Sequence, residues 1–261
     1  VLNGSLSRPG AVIRYGCSPG RGPAVVFTHG AGMSHEAFAA QAAALPERQV
    51  VCWDLRGHGE SVLEPGTRFT AEDALADLAA LLDHLELERP VLVGHSLGGN
   101  LSQALVRRAP ARAGGLVVLG STWNAGPLTG TERRLLRLAA PALAMVPEAR
   151  LPRLMAKASA VTPEAIAATE AVFARMPKRV FLDVWRATAS LVEPDPDYRT
   201  PVPLTLIRGE RDRTGNIATA MPRWAAAEGV SEHVVPGAGH VVMLDAPAEI
   251  AVLLGEQLAA M

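Results

Sequence analysis

Short, nearly continuous apolar runs bounded by glycine or proline alternate along the chain with longer segments in which apolar residues recur every three or four positions. The short runs read as strands: 11–15 (AVIRY) as an early antiparallel edge strand, then 24–29, 49–54, 90–95, 115–120, 203–208 and 231–235. Runs that are apolar at every position suit strands covered on both faces. The longer segments, at about 35–45, 71–86, 97–109, 217–228 and 246–260, read as amphipathic helices, with Leu75, Leu78, Leu82 and Leu85 on one stripe of the second. Strands alternating with helices predict an α/β fold, a parallel sheet with helices on both faces.

One stretch breaks the alternation. Residues 122–200 contain no convincing strand, only Ala- and Leu-rich helical segments punctuated by Pro127, Pro141, Pro147, Pro152, Pro163 and Pro177. This reads as a helical insertion. It carries 11 basic and 8 acidic residues, against 14 and 18 in the remainder, an asymmetry that an ordinary solvated helical face accounts for.

Composition narrows the class. Apolar residues make up 49% and charged residues 20% of the 261, with mean hydropathy +0.17, which excludes global disorder. The length suffices for one large domain with an insertion. A formal net charge of −1 offers no overall positive field, so neither nucleic acid nor a membrane is expected as a partner. Cys17 and Cys52 lack metal-ligand spacing and are too few for a disulfide framework, which points to the reducing cytoplasm. No basic segment followed by an apolar stretch opens the chain, and no run approaches the roughly 18 apolar residues of a membrane helix; the expectation is a soluble, unexported protein. Monomer and homodimer are equally compatible with the sequence.

The sharpest chemical signal is Gly94-His95-Ser96-Leu97-Gly98, a G-x-S-x-G between a predicted strand and a predicted helix. A serine on so tight a turn needs small neighbours, and Gly94, Gly98 and Gly99 supply them. The helix that follows points its free N–H groups, that of Leu97 included, at any anion forming beside the hydroxyl. Serine needs a base, and the base an orienting acid. Among seven histidines, His240 lies in Pro236-Gly237-Ala238-Gly239-His240, after the last predicted strand, where a parallel sheet delivers it to the same edge as Ser96. His29, His58 and His95 read as loop-holding residues, and His35, His84 and His233 as surface or helix-face residues. Asp212, in Gly209-Glu210-Arg211-Asp212 after strand 203–208, is the candidate acid, with Glu210 its nearest rival; the alternative role for Asp212 is a helix cap or an ion-pair partner of Arg211 or Arg213. A second oxyanion donor is the backbone N–H of Ala31, in the loop His29-Gly30-Ala31-Gly32. His35-Glu36 opens toward the zinc motif H-E-x-x-H, but Ala39 ends the match, and no metal or organic cofactor is expected.

Together these motifs resemble the α/β-hydrolase family. His29–Gly32 is similar to its HGxG oxyanion loop, Asp54-Leu55-Arg56-Gly57-His58-Gly59-Glu60-Ser61 to its D-x-R-G-x-G-x-S segment, and 94–98 to its nucleophile elbow. The resemblance implies a mostly parallel eight-stranded sheet flanked by helices. It further implies a core of residues 1–121 and 201–261, with 122–200 a helical cap between the sixth and seventh strands. It also implies Ser96, Asp212 and His240 as the catalytic residues, with the Ala31 and Leu97 amides as oxyanion donors. Serine at 96, where dehalogenases and epoxide hydrolases of this fold carry aspartate, points to acyl chemistry on a small-molecule ester, lactone or related carbonyl compound. Trp123, Met145, Phe173 and Trp185 are candidates for an apolar substrate pocket, in segments that also contain Met155 and Phe181. The alternatives are acyl transfer or cofactor-free peroxidase-like chemistry with the same residues, or a non-catalytic ligand-binding role on the same fold.

Overall fold

The computed structural model describes residues 1–261. One sheet of nine strands runs through it: β1 (Gly4–Arg8), β2 (Ala11–Cys17), β3 (Val25–Thr28), β4 (Val50–Trp53), β5 (Val62–Leu63), β6 (Val91–His95), β7 (Gly115–Leu119), β8 (Leu204–Gly209) and β9 (Glu232–Val235). The spatial order is β1-β2-β4-β3-β6-β7-β8-β9, with β5 paired to β2. Every pairing from β4 to β9 is parallel, while β1, β2 and β5 join antiparallel at one end. The fold is therefore the expected α/β arrangement, with nine strands in place of eight. The additional strands have weak sequence signals. β1 (GSLSR) has one large apolar residue and alternates between half-buried and exposed on the sheet edge, and β5 is two residues long.

The central strands are buried on both faces, and their side chains divide between two cores as the pleat requires. Val25 and Phe27 of β3 belong to one, and Val26 to the other. The chain forms ten α-helices: α1 (Ala39–Ala43), α2 (Ala71–His84), α3 (Leu97–Arg108), α4 (Gly130–Ala144), α5 (Leu151–Ser159), α6 (Pro163–Phe173), α7 (Lys178–Ser190), α8 (Ile217–Glu228), α9 (Val242–Asp245) and α10 (Pro247–Ala259). Thr70 caps α2 by accepting the Asp73 N–H at 3.1 Å, and Leu75, Leu78, Leu81 and Leu82 of that helix are buried. No helix is long and apolar enough to cross a membrane.

Helices α4–α7 follow one another between β7 and β8, with no strand among them. Local chemistry sets their starts. Thr129 and Glu132 form a reciprocal capping box at α4, with bonds of 3.2 and 2.7 Å. Thr162 caps α6, and Pro163 fills that helix's first position, where no backbone donor is needed.

The chain steps from β3 to β4 in one direction and then crosses to β6 on the other side of β3. At that reversal the loops after β3 and β6 leave the carboxyl edge side by side, which is where open α/β sheets form ligand crevices.

Candidate active site

Ser96 joins β6 to α3 with φ 51° and ψ −118°, a conformation rarely taken by a residue with a side chain. The surrounding glycines make the turn sterically accessible. A Cβ on Gly98 would lie 2.0 Å from the Thr28 carbonyl oxygen, and one on Gly94 would lie 2.5 Å from the Gly98 backbone. Strand and helix thus approach more closely than any larger residue allows.

The Ser96 hydroxyl reaches His240 Nε2 at 3.1 Å, and His240 Nδ1 reaches Asp212 Oδ2 at 2.9 Å. Asp212 and His240 are buried, on the loops after β8 and β9 respectively. Asp212 Oδ1 also accepts the Thr214 N–H at 2.8 Å. Burial alone would raise the Asp212 pKa, but the charge and hydrogen bond of His240, with the Thr214 amide, outweigh it and hold the carboxyl below its ordinary range. Glu210 instead accepts the Gly237 N–H at 2.8 Å on an exposed part of the loop. An imidazole donating through Nδ1 to a carboxylate has its Nε2 lone pair free to take a hydroxyl proton.

The amides of Ala31 and Leu97 donate to no acceptor within the chain. Two buried histidines fix the loops that carry them. His29 donates through Nδ1 to the Gly30 carbonyl at 2.8 Å and accepts the Leu55 N–H at Nε2 at 3.0 Å. His95 donates through Nε2 to the His240 carbonyl at 3.0 Å. Burial lowers the pKa of both, that of His95 to about 3, so each ring is neutral and holds one tautomer. His58, also lowered to about 3 by burial, bonds the Arg56 carbonyl at 3.0 Å.

Asp54 organises the same edge. It accepts the His35 N–H at 2.6 Å, the Glu60 N–H at 2.8 Å and the His35 ring at 3.0 Å. Its neighbours Arg56 and Ser61 tie the segment down, Arg56 to Asp77 at 2.7 and 2.8 Å and Ser61 to the Asp54 carbonyl at 2.6 Å. His35, which begins the broken zinc motif, is thereby engaged with a carboxylate.

Ser96 and His240 open into a cavity of about 470 Å³ whose lining is mostly apolar. Of the four pocket candidates, Phe173 and Trp185 line it, together with Met155 and Phe181. Trp123 and Met145 do not. Trp123 is buried and stacks on Trp224 with ring centroids 6.2 Å apart, while Met145 sits just past the end of α4, 86% exposed. The cavity is also lined by polar residues that the sequence does not mark as pocket residues: Thr122, Glu132, Arg213 and Asn216. Asn216 donates to Glu132 at 3.1 Å, bridging α4 to the loop that carries Asp212. The T-x-x-E signature at 129–132 was the one sequence signal available for any of them, and it speaks only of a helix start.

Comparison with known proteins places these features in context. The model of the alpha/beta hydrolase family matches residues 25–253. The 2-hydroxy-6-oxo-2,4-heptadienoate hydrolase of Pseudomonas putida is 39% identical over 114 residues, 42% of this chain and 41% of that protein. The match therefore spans less than half of that relative's length. Among solved structures, a thermophilic esterase from Thermogutta terrifontis aligns at TM-score 0.78 with 25% identity, over 100% of this chain and 98% of its own. The enol-lactonase from Burkholderia xenovorans aligns at TM-score 0.82 with 20% identity, over 98% of this chain and 100% of its own, a likeness of fold alone.

Proposed function

The chain belongs to the alpha/beta hydrolase family, and we propose that within it the protein is a serine hydrolase of small, largely apolar esters, lactones or related carbonyl compounds. One observation carries this reading: a strained serine, a histidine and a buried aspartate lie in hydrogen-bond sequence, 3.1 and 2.9 Å apart, at the mouth of an apolar cavity. The names of two relatives, the hydrolase of Pseudomonas putida and the esterase of Thermogutta terrifontis, support hydrolysis.

In this reading Ser96 Oγ attacks the substrate carbonyl carbon while its proton passes to His240 Nε2. The oxyanion that forms is received by the Ala31 and Leu97 N–H groups, each such donor worth on the order of 3 kcal/mol in the transition state. As the tetrahedral intermediate collapses, the leaving group takes the proton from His240 and an acyl-enzyme remains. Water then attacks that ester with His240 again as base, releasing a carboxylic acid and restoring Ser96. Asp212 stays ionised throughout, orienting the ring and stabilising the imidazolium. Residues 122–200 serve as a cap that contributes Phe173 and Trp185 to the substrate wall, over a core of 1–121 and 201–261. The two free thiols, Cys17 and Cys52, suit action in the cytoplasm.

A panel of p-nitrophenyl esters of increasing acyl length tests the activity. Turnover of short to medium chains, absent from Ser96→Ala, is the expected result. Folded protein that turns over no ester or lactone would refute the reading.

A further inference from the structure

His240 is held through the backbone of both its neighbours, and both holds lead to the helices between β7 and β8. On one side, the Gly239 N–H donates to Asp245 Oδ2 at 2.8 Å. The same carboxylate, through Oδ1, takes the Val161 N–H at 2.9 Å, the Thr162 N–H at 2.8 Å and the Thr162 hydroxyl at 3.1 Å. On the other side, the Val241 N–H donates to the Ser159 carbonyl at 3.0 Å. Ser159 ends α5 and Thr162 caps α6 by accepting the Ala165 N–H at 3.2 Å, so a single carboxylate joins the loop of the histidine to the junction of two helices. Phe173, at the far end of α6, packs so tightly over Gly32 that a Cβ there would lie 2.0 Å from its ring. The same helix therefore touches the loop of Ala31 as well.

Asp245 is bonded neither to Ser96 nor to Asp212, and the chemistry does not call on it. We propose that Asp245 is a positioning residue, which makes the alignment of His240 with Ser96 conditional on the docking of α5 and α6. The physical basis is the donor count. Four donors from two segments converge on two oxygens, and an acceptor-only group is the one side chain of this size that satisfies them all. An amide offers one oxygen and one NH2. With its oxygen toward Val161 and Thr162, its NH2 faces the Gly239 N–H, so the histidine loop is released while the helices stay docked. Removing the group altogether leaves all four donors without their acceptor, with the Val241–Ser159 backbone bond as the remaining tie between the two segments.

The catalytic consequence rests on the serine hydrolase reading; the structural one does not, and the test separates them. Wild type, Asp245→Asn, Asp245→Ala and the distant core variant Leu82→Ala are compared in three measurements: thermal midpoint, labelling rate with a fluorophosphonate across pH, and the downfield proton NMR signal of His240 Nδ1–H. A displacement of about 1 Å between reacting groups costs on the order of 100-fold. Asp245→Ala is expected to label about 10- to 100-fold more slowly at a temperature where it is fully folded, with the His240 proton signal broadened or lost. Asp245→Asn should show the same spectroscopic change with a smaller loss of thermal midpoint. Leu82→Ala should lose thermal stability with an unchanged signal and labelling rate. A folded Asp245→Ala that keeps the His240 signal and labels within about twofold of wild type overturns the proposal. If wild type does not label at all, the proposed function fails, and the proton signal alone still decides the role of Asp245.

Discussion

Asp212 and His240 lie 28 positions apart in the chain and meet through a 2.9 Å hydrogen bond between Oδ2 and Nδ1. Parallel pairing of β8 and β9 brings their following loops to the same edge of the sheet, so the meeting is a consequence of topology. It sets the tautomer of the imidazole, with the proton on Nδ1 and the lone pair on Nε2, facing Ser96. Asp212→Asn keeps the shape but offers an NH2 to Nδ1, favouring the opposite tautomer. Turnover is expected to fall on the order of 10⁴-fold. Glu210→Gln, whose carboxylate holds only the Gly237 amide, should retain activity within a few fold. Steady-state kinetics of the two variants check the assignment, and the reverse pattern would make Glu210 the acid.

The size of the cavity sets a second expectation. Trp185 lines it from α7, and Trp185→Ala adds volume to an apolar wall. Each additional methylene that the enlarged space accommodates is worth about 0.8 kcal/mol, roughly fourfold in kcat/KM. The preferred acyl chain should lengthen in the variant, while the rate on the shortest ester stays close to wild type. An identical chain-length profile would take Trp185 out of the substrate wall.

Protonation of His35 yields a pH dependence of stability. Its hydrogen bond to Asp54 outweighs burial and raises its pKa above the ordinary 6.5. The charged form is therefore favoured by folding, and the pair's contribution is fully present below pH 6.5 and lost as pH rises through the raised value. Asp54 is shifted the other way: burial would raise it, but the His35 ring and the His35 and Glu60 amides hold it below 3.8, so its contribution is lost only as pH falls through that depressed value. Thermal unfolding of wild type and His35→Gln at pH 6 and pH 9 checks this. Wild type should lose more stability over the interval than the variant. Parallel losses would show that the pair does not titrate with folding.

Ser96, His240 and Asp212, which the fold brings into hydrogen-bond sequence, are legible in the sequence because each combines a residue type with a position after a strand. Gly94, Ser96 and Gly98 mark a turn that few other roles require, and the apolar runs before Asp212 and His240 locate the sheet edge. The weakly marked parts of the fold are those where tertiary pairing decides. β1 is polar on its open face, and only its pairing with β2 makes it a strand. Trp123 follows β7 closely enough to suggest the cavity, yet Trp224 of α8 captures its ring in a stack. Met145 has the chemistry of a pocket residue but comes after the last turn of α4, beyond the face that lines the cavity. Asp245 carries no signal in the sequence, because its donors come from residues 161 and 162, more than 80 positions upstream.

The most direct test of the central claim is covalent labelling of the intact protein with a fluorophosphonate, followed by mass spectrometry of its peptides. Stoichiometric modification on Ser96, abolished in Ser96→Ala and accompanied by a fall in ester turnover on the order of 10⁶-fold, is the predicted result. Modification of another residue, or a Ser96→Ala variant that retains wild-type turnover, would contradict it.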